Sequence, residues 1–483
     1  MIVLLNLSFI LPSVNMEGFY EGQFGRAQES DIFEWNVWDP NLYLETRLYG
    51  NPFKNSDYYI KFYADKDFSQ NVRPLAVLSE GHVGFRYEKN SSGFRSVLFT
   101  RESQHFWYDG SMLGIVNTGS VNNDGNGQGA RFDVWHWLNG SMTYVFSDFS
   151  QGEGDDIHLF RYRQSLFNNK VNTGIFFQRK YYSTGNQNDY NQVLSHDVKL
   201  NIGKYYFANE IAISQVPSDT LITKLNSSYL GTEFLKSNIA IKTEFRGFSI
   251  GHPKYGYWFL TPGYFSYGNT YRNYMGDNQY NKYGFWINSY YLVPKRAITL
   301  ILNYNQHQKI VADSIIVFSD SLYAKEILDP TKNLYAEIYV EFINGFRGKV
   351  AFSKKDERWQ GNNYKHYDFL SEITVENSLA KLLAQFKIKD IGETWEKHIS
   401  GIELSVNLAE KWKVFTRGMV VNDRVGSRYS MFAELQYRTN GNTELYLQYG
   451  PNNWGQYGLV NDEGFVSSGM MRKELRLIVK GWF

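Results

Sequence analysis

The chain has 483 residues, of which 43% are hydrophobic, 17% aromatic and 20% charged. Lysine and arginine (50) nearly balance aspartate and glutamate (49), which excludes a strongly basic nucleic-acid binder and a polybasic membrane-surface protein. The absence of cysteine excludes disulfides, thiolate metal ligands and cysteine nucleophiles. Tyrosine (37) and phenylalanine (35) are abundant whereas proline (10) is scarce, and this composition favours long antiparallel strands.

The first predicted element is the apolar segment MIVLLNLSFILPSV at residues 1–14. A membrane-spanning helix needs roughly 20 apolar residues, so this segment is too short for one and has the length of a signal-peptide core. We predict a leader at 1–14, with a buried first strand as the alternative, and a single barrel domain at 15–483. No later window predicts a membrane-spanning helix, so membrane residence would require a closed barrel of strands.

Strands are predicted wherever apolar and polar residues alternate with a period of two. A clear example has five apolar residues on one face, namely Leu334, Ala336, Ile338, Val340 and Phe342. Segments of about ten alternating residues are long enough to cross a bilayer on a tilted strand. We therefore expect this apolar set to face lipid, and Glu337 and Glu341 to face the lumen, because a charge facing hydrocarbon is costly.

Short and long connections alternate along most of the chain. Tight turns are predicted at Asn90–Gly93, Asn139–Gly140, Asn168–Asn169, Pro294–Lys295, Asn344–Gly345, Glu376–Ser378, Ala409–Glu410 and Asn440–Gly441. Longer polar loops are predicted near 104–130, 183–192, 216–227, 249–282, 309–332, 355–365 and 450–471. This rhythm is typical of a transmembrane antiparallel β-barrel, with short periplasmic turns and long extracellular loops. Counting hairpins predicts an all-β fold of about 24 strands, within a range of about 20–26.

Two groups of residues are candidates for a metal-binding or catalytic site. Asn122, Asp124, Asn126 and Asp133 partly match a calcium-binding loop, but the first ligand is Asn and the last is not a bidentate Glu. A plain surface loop rich in Asn and Gly is the simpler interpretation. Ser195 and His196 are adjacent, and neighbouring strand residues point to opposite faces, so they do not predict a catalytic pair. We predict no catalytic residues, no enzyme activity and no cofactor.

The longest predicted loop, 249–282, is rich in glycine and aromatic residues and is the best candidate for a constriction inside the barrel. Its candidate constriction or glycan-contact residues are Tyr255, Tyr257, Trp258, Tyr264, Tyr267, Tyr271 and Tyr274. Aromatic rings of this kind stack on sugar faces. The alternative is that they belong to the interfacial aromatic girdle or fill the packing of the loop.

The C-terminal strand is the most specific single feature. Leu475, Leu477, Val479, Gly481 and Phe483 fall on one face, opposite charged residues at 474, 476 and 480. A terminal Phe after alternating apolar residues resembles the signal by which bacterial barrels are recognised for assembly. We predict that this strand pairs with an N-terminal partner within 16–25, because an open edge in lipid would leave unsatisfied backbone groups.

Three segments resemble a large outer-membrane barrel family that is often encoded after a carbohydrate-binding module of the family 9 type. They are Leu98–Glu102, Gln128–Trp135, and Pro262–Gly263 leading to Tyr271–Asp277. The resemblance is one of spacing and residue type over most of the chain, and none of its motifs is catalytic. It implies the barrel fold and leaves the activity undefined.

The function predicted from the sequence is a porin-like channel of a Gram-negative outer membrane, with glycan or oligosaccharide selectivity. One alternative is a surface-exposed barrel that anchors binding loops or assists export, and a second is a secreted all-β glycan-binding protein or hydrolase. The expected partners are outer-membrane lipid and lipopolysaccharide, the barrel-assembly machinery and glycans, with no nucleic acid.

Overall fold

The computed structural model describes most of the chain. The described residues are 14–27, 37–38, 41–67, 75–102, 105, 111–116, 128–137, 139–148, 156–184, 187–216, 238–268, 271–276, 279–280, 282–293, 297–318, 321–359, 362–439, 441–450 and 474–483. Among these residues, no helix is both long and apolar enough to cross a membrane. The predicted leader at 1–14 lies outside the described residues except for Val14.

The described residues form 26 strand segments in one antiparallel sheet. They are β1 (Asn15–Ala27), β2 (Val37–Trp38), β3 (Asn41–Gly50), β4 (Ser56–Asp67), β5 (Leu75–Lys89), β6 (Ser92–Thr100), β7 (Gln128–Trp137), β8 (Gly140–Asp148), β9 (Asp156–Leu166), β10 (Val171–Thr184), β11 (Gln187–Ile202), β12 (Tyr205–Gln215), β13 (Ile239–Arg246), β14 (Phe248–His252), β15 (Gly256–Tyr267), β16 (Lys282–Val293), β17 (Ile298–Phe318), β18 (Ser321–Ile343), β19 (Phe346–Trp359), β20 (Asn362–Glu376), β21 (Ala380–Lys389), β22 (Lys397–Ala409), β23 (Trp412–Asp423), β24 (Gly426–Arg438), β25 (Thr443–Tyr449) and β26 (Glu474–Trp482).

These segments build a closed barrel of 24 strands, as the sequence predicts. The short β2 pairs only with the end of β1 and is not a separate strand of the wall. Strands β13 and β14 both pair with β15 and are separated only by Gly247, so they form one interrupted strand. Gly247 has a φ of +88°, and a Cβ there would collide with the carbonyl oxygen of Lys204, so the interruption requires glycine.

The barrel closes where β1 meets β26. Their register runs from Phe19 opposite Trp482 to Ala27 opposite Glu474, which confirms the predicted pairing of the C-terminal strand. Gly18 N donates to Phe483 O at 2.8 Å and Phe483 N donates to Gly18 O at 3.1 Å. A Cβ on Gly18 would collide with the Phe483 ring, so this glycine lets the terminal ring lie flat against the seam.

The two faces of the wall follow from the register, because residues directly opposite each other point to the same side. The buried Phe265 lies opposite Gly284, and Gly284 lies opposite His307, so all three share the inner face. The same alternation puts Glu337 inside and Ile338 outside, where its side chain is 50% exposed. The predicted facing of Ile338 and Glu337 is confirmed.

At the C-terminal strand, the inner face carries the buried Arg476 and Ile478, and the outer face carries Leu475, Leu477 and Phe483. Trp482 is on the inner face, where its ring lies 5.5 Å from the ring of Phe19. The strand alternation therefore turns Trp482 inward, whereas its neighbour Phe483 faces outward.

Six of the eight predicted turns lie wholly within the described residues, and each falls between two neighbouring paired strands. Pro294–Lys295 and Asn440 lie outside the described residues. The six turns are at the same end of the barrel as Gly18 and Phe483. Three further turns at this end, 51–55, 203–204 and 253–255, were not predicted.

Several predicted loops are wrong over most of their length. The predicted loop 309–332 is the paired upper part of β17 and β18, which are 21 and 23 residues long. The predicted loops 183–192 and 355–365 are likewise mostly strand, and 249–282 contains β14 and β15. These strand segments lack a regular apolar alternation, so their sequences look like loops.

Spin labels placed singly at Ile338 and Glu337 should differ in their environment once the barrel is in a bilayer. We expect the label at 338 to be relaxed by oxygen and the label at 337 by a water-soluble nickel chelate, because successive strand residues face opposite sides. Electron paramagnetic resonance relaxation measures both. Equal accessibility at the two positions would contradict the register.

Candidate functional site

Two chain segments that are not strands of the wall, 111–116 and 271–276, pack against the inner face of the barrel. They contribute Leu113, Ile115, Val116, Tyr271 and Met275 to one buried apolar cluster. The wall residues of that cluster come from β6, β8 to β13 and β15, and they are Val97, Phe99, Val145, Ile157, Leu159, Phe176, Val193, Ala212, Ala240, Phe265 and Tyr267. Full burial of a large apolar side chain stabilises a fold by roughly 1.5–3 kcal/mol, so the packing holds these segments firmly on the wall.

The segment 111–116 is fixed by a buried carboxylate on β12. The backbone N–H of Leu113 donates to Glu210 Oε2 at 3.0 Å, and Ser195 Oγ on β11 donates to Glu210 Oε1 at 3.0 Å. Glu210 is almost completely buried. A buried carboxylate needs such donors, because an unsatisfied buried polar group costs about 1–3 kcal/mol and a charged one costs more.

The segment 271–276 is fixed by amide side chains that bond to its backbone. Asn191 on β11 donates from Nδ2 to Arg272 O at 3.1 Å, and its Oδ1 accepts from Tyr274 N at 3.1 Å. Arg272 N donates to Ser214 Oγ on β12 at 2.9 Å. The amide of Asn191 thus both donates to and accepts from the backbone of this segment, as the backbone of a paired strand would.

The two segments also contact each other. Asn273 Oδ1 accepts from Gln178 Nε2 on β10 at 2.9 Å, and Asn273 Nδ2 donates to Gly114 O at 3.2 Å. Gly276 lies so close to residues 114–115 that a Cβ there would collide with the carbonyl oxygens of Gly114 and Ile115. We call 111–116 and 271–276 together the docked segments.

Charged pairs cover the inner wall beside the docked segments. Arg131 bonds Asp133 from Nε at 2.7 Å and from Nη2 at 2.8 Å, and Arg161 pairs with Asp197. Arginines from four strands line one cavity on this wall, and they are Arg86, Arg95, Arg131, Arg161 and Arg163. The carboxylates of Asp57, Asp133 and Asp197 accept from three of these arginines, so the wall is densely charged and largely compensated.

The seven aromatic residues predicted as constriction or glycan contacts are divided among four places. Tyr255 is in the turn between β14 and β15, at the opposite end from the docked segments. Trp258 and Tyr264 share the outer face of β15, whereas Tyr257 and Tyr267 share its inner face with Phe265. The last two are in the docked segment, with Tyr271 fully buried and Tyr274 partly exposed. The structure therefore does not bring the seven together.

The inner aromatic residues form a row along β15 and β16. The rings of Phe259 and Tyr290 stack at 4.6 Å, and Phe265 lies 6.0 Å from Trp286 and 5.8 Å from Tyr267. Tyr267 in turn lies 6.0 Å from Tyr271. The row leads from the turn end of the barrel to the docked segments.

Beside this row lies a patch of amide side chains that the sequence analysis missed. Trp286 lies opposite Asn305, and Asn305 lies opposite Asn333; in the adjacent row Asn288 lies opposite Asn303, and Asn303 opposite Tyr335. We call these six residues the amide patch. They line one cavity on the inner face of β16 to β18, and none of their side chains is fully buried. Each asparagine carries an amide donor and an amide acceptor beside an aromatic face. The Oδ1 of Asn333 is buried, and the Oδ1 of Asn303 accepts from Ser289 N at 3.4 Å.

The weak calcium candidate is not supported by its one described residue. Asn122, Asp124 and Asn126 lie outside the described residues. Asp133 is inside β7, where its carboxylate accepts from Arg131 and from Thr143 Oγ1 at 2.7 Å. Strand pairing thus holds Asp133 in the wall, opposite Arg95, whereas the calcium interpretation needs it as the last ligand of a loop.

Sequence reasoning missed Gln178, Asn191, Glu210 and the segment 111–116. One signal was present: Leu113, Ile115 and Val116 are apolar within a long connection, where an exposed loop would be polar. The polar residues carried no comparable signal, because a polar residue at an inward strand position is expected of any barrel with a polar lumen.

The chain matches no protein-family model, and no curated protein matches it. Among solved structures, it is similar to the siderophore receptor PirA from Pseudomonas aeruginosa, with a TM-score of 0.46 and 9% identity over 97% of this chain and 80% of that one. It is similar to a mutant of the ferric enterobactin receptor PfeA from Pseudomonas aeruginosa, with a TM-score of 0.45 and 9% identity over 98% and 81% of the two chains. It is also similar to the P pilus usher PapC translocation pore, with a TM-score of 0.40 and 8% identity over 97% and 99%.

The fold is a closed antiparallel β-barrel of 24 strands. The resemblance to the barrel family that follows family 9 carbohydrate-binding modules stays a prediction.

The substitution Gly276→Ala should loosen the docked segments, because its Cβ has no room against residues 114–115. Hydrogen exchange followed by mass spectrometry should show faster exchange in peptides that cover 111–116, with the strands unchanged. Gly418→Ala is the matched control, since the atom nearest to its Cβ would be 4.0 Å away. Unchanged protection of 111–116 in Gly276→Ala would contradict the docking contact.

Proposed function

We propose that the protein is an outer-membrane channel for hydrophilic solutes, that the docked segments form its constriction, and that the amide patch selects saccharides. The outer membrane is the proposed location because the outward positions of the wall carry exposed large apolar residues such as Leu302, Ile338 and Val350. Such a surface is costly in water and stable in hydrocarbon.

The docked segments support a constriction because a barrel of 24 strands encloses a wide lumen. A wide lumen discriminates among solutes only if something inside narrows it. Apolar packing and buried hydrogen bonds hold both segments against one side of the inner wall. A barrel that only anchors external loops has no need for this internal anchoring, so the arrangement favours a channel over the anchor alternative.

The amide patch is the single observation that carries the saccharide assignment. Sugars present apolar ring faces edged by hydroxyl groups that both donate and accept hydrogen bonds. Trp286 offers a face for stacking, and the amide groups of four asparagines lie around it. The patch borders the docked segments, since Trp286 packs against their apolar cluster. A solute held at the constriction would therefore touch the patch.

The proposed activity is transport without chemical conversion of the solute. Ser195 bonds Glu210 on the inner side, while His196 faces the outer side and lies 2.9 Å from Thr173 Oγ1. The two residues therefore do not form a nucleophile and its base. The alternative function, a surface barrel that anchors binding loops or assists export, predicts no conductance.

Replacing 271–276 with a glycine-serine segment of equal length should raise the single-channel conductance in planar bilayers. The reason is that the new segment lacks the side chains that anchor it to β10 to β12. The replacement must stay this narrow, because one that extended over 254–278 would remove strand β15 itself. A difference in gel migration between unheated and boiled samples would establish that the variant barrel is folded. A wild-type protein without conductance would overturn the channel proposal in favour of the anchor.

Trp286→Ala should weaken current block by a linear oligosaccharide such as maltohexaose. Loss of one aromatic contact, worth roughly 0.5–1.5 kcal/mol, predicts a dissociation constant for block that rises about 2- to 12-fold. Tyr264→Ala is the matched control, because Tyr264 is on the outer face of the same strand pair. Equal block by polyethylene glycol of similar size, or no difference between the two variants, would overturn the saccharide assignment while leaving the channel intact.

A further inference from the structure

Three potential metal ligands converge on the inner wall at the point where the chain leaves β6. His82 is on β5, Glu102 follows the end of β6, and His105 lies three residues further on. His82 Nδ1 lies 2.8 Å from Glu102 Oε1, His105 Nε2 lies 2.6 Å from Glu102 Oε2, and the two ring nitrogens are 3.1 Å apart. One ligand atom from each residue therefore faces a common centre.

This cluster is largely withdrawn from solvent. The side-chain exposure is 1% for Glu102, 9% for His105 and 12% for His82. The ring of His105 lies 6.1 Å from that of Phe99, which belongs to the apolar cluster under the docked segments. A carboxylate in such a place is costly unless cationic or donor groups surround it.

The second ring nitrogen of His82, Nε2, has a carboxylate partner, as is usual for metal-binding histidines. His82 Nε2 lies 2.9 Å from Asp57 Oδ2, and Arg95 Nη2 lies 3.2 Å from the same oxygen. A carboxylate that accepts from the second ring nitrogen fixes the tautomer and orients the ring toward a metal. With the proton on Nε2, the lone pair of Nδ1 points at the shared centre.

The Nδ1 of His82, the Nε2 of His105 and the carboxylate of Glu102 all face that centre. A cation bound there would compensate the buried carboxylate. Two imidazole nitrogens and one carboxylate oxygen form a ligand set that zinc and the neighbouring late first-row ions prefer, whereas calcium and magnesium prefer oxygen ligands.

The spacing of the ligand atoms is close to that of a tetrahedral site. Zinc binds at about 2.0–2.2 Å, which separates its ligand atoms by about 3.3–3.5 Å in a tetrahedron. The present distances of 2.6, 2.8 and 3.1 Å need to open by a few tenths of an ångström, or somewhat more at the shortest edge. We propose that His82, Glu102 and His105 bind one divalent late first-row ion such as Zn²⁺, with Asp57 positioning His82.

The site joins the wall to the chain that leads into the docked segments. His82 belongs to β5, while Glu102 and His105 precede 111–116 by only a few residues. An ion bound by all three therefore ties the start of this connection to the wall. Any effect of the bound ion on permeation rests on the proposed channel function, whereas the binding of the ion does not.

Binding is best tested with Co²⁺, whose visible absorption reports nitrogen and oxygen ligands in a tetrahedral field. The refolded full-length protein should bind one Co²⁺ that Zn²⁺ displaces, and calorimetry should give the same stoichiometry for Zn²⁺. Glu102→Gln and His105→Ala should abolish the spectrum. Asp57→Asn should retain it with a dissociation constant about 10- to 100-fold higher, because it changes only the residue behind His82.

His366→Ala is the matched control. His366 also has two carboxylate neighbours, Asp390 at 2.7 Å and Glu357 at 3.3 Å, but they lie at opposite ring nitrogens and cannot share one ion with the ring. Its Co²⁺ spectrum should equal that of the wild type. The proposal is overturned if folded wild-type barrel, established by heat-dependent gel migration, shows no tetrahedral Co²⁺ spectrum, or if Glu102→Gln and His105→Ala keep it. The Co²⁺ measurement does not depend on whether the protein conducts, so failure of the channel proposal and failure of the metal proposal can be distinguished.

Discussion

Backbone hydrogen bonding is the constraint on which the rest of this molecule depends. A strand in hydrocarbon has no water to satisfy its N–H and C=O groups, so each strand needs a neighbour on both sides. Strand β1 meets β3 on one side and β26 on the other, and this seam joins the two ends of the described chain. Its register also determines which side chains face out, because a shift of one residue would exchange the two faces of a strand.

The alternation that closure imposes leaves the barrel with an inner surface of mixed character. On β10 to β12, inward polar residues such as Gln178, Asn191 and Glu210 are buried, and the docked segments supply their partners. On β16 to β18, the inward asparagines of the amide patch are accessible. The same kind of residue is thus buried in hydrogen bonds on one side of the lumen and partly exposed on the other.

The sequence predicted the wall well where each strand has an apolar outer face and a polar inner one. Ile338 and Glu337 were assigned correctly because alternation is strong there, and the tight turns were found because Asn-Gly and similar pairs accept positive φ. The upper parts of β17 and β18 were mistaken for a loop, since nothing requires alternation in strand segments that extend beyond an apolar environment. In β15, aromatic residues occupy both faces, so Trp258 and Tyr264 could not be separated from Tyr257 and Tyr267 by residue type.

The interior contacts could not be predicted because they join residues far apart in the sequence. Leu113 bonds Glu210, and Asn273 bonds Gly114, across separations of 97 and 159 residues. His82 and Glu102 are 20 residues apart, and only the pairing of β5 with β6 places them together. No local pattern marks the polar members of these contacts, since each one is an ordinary polar residue in its own segment.

The geometry of the two docked segments explains why they depend on each other. One segment follows β6 and the other follows β15, and these two strands lie on opposite flanks of β10 to β12 in the sheet. Asn273 bonds Gln178 on the wall and Gly114 on the other segment, so loss of either segment leaves buried amide groups without partners. Since Trp286 packs against the same apolar cluster, a displacement of one segment would reach both its neighbour and the edge of the amide patch. The two docked segments therefore form one interdependent element rather than two independent loops.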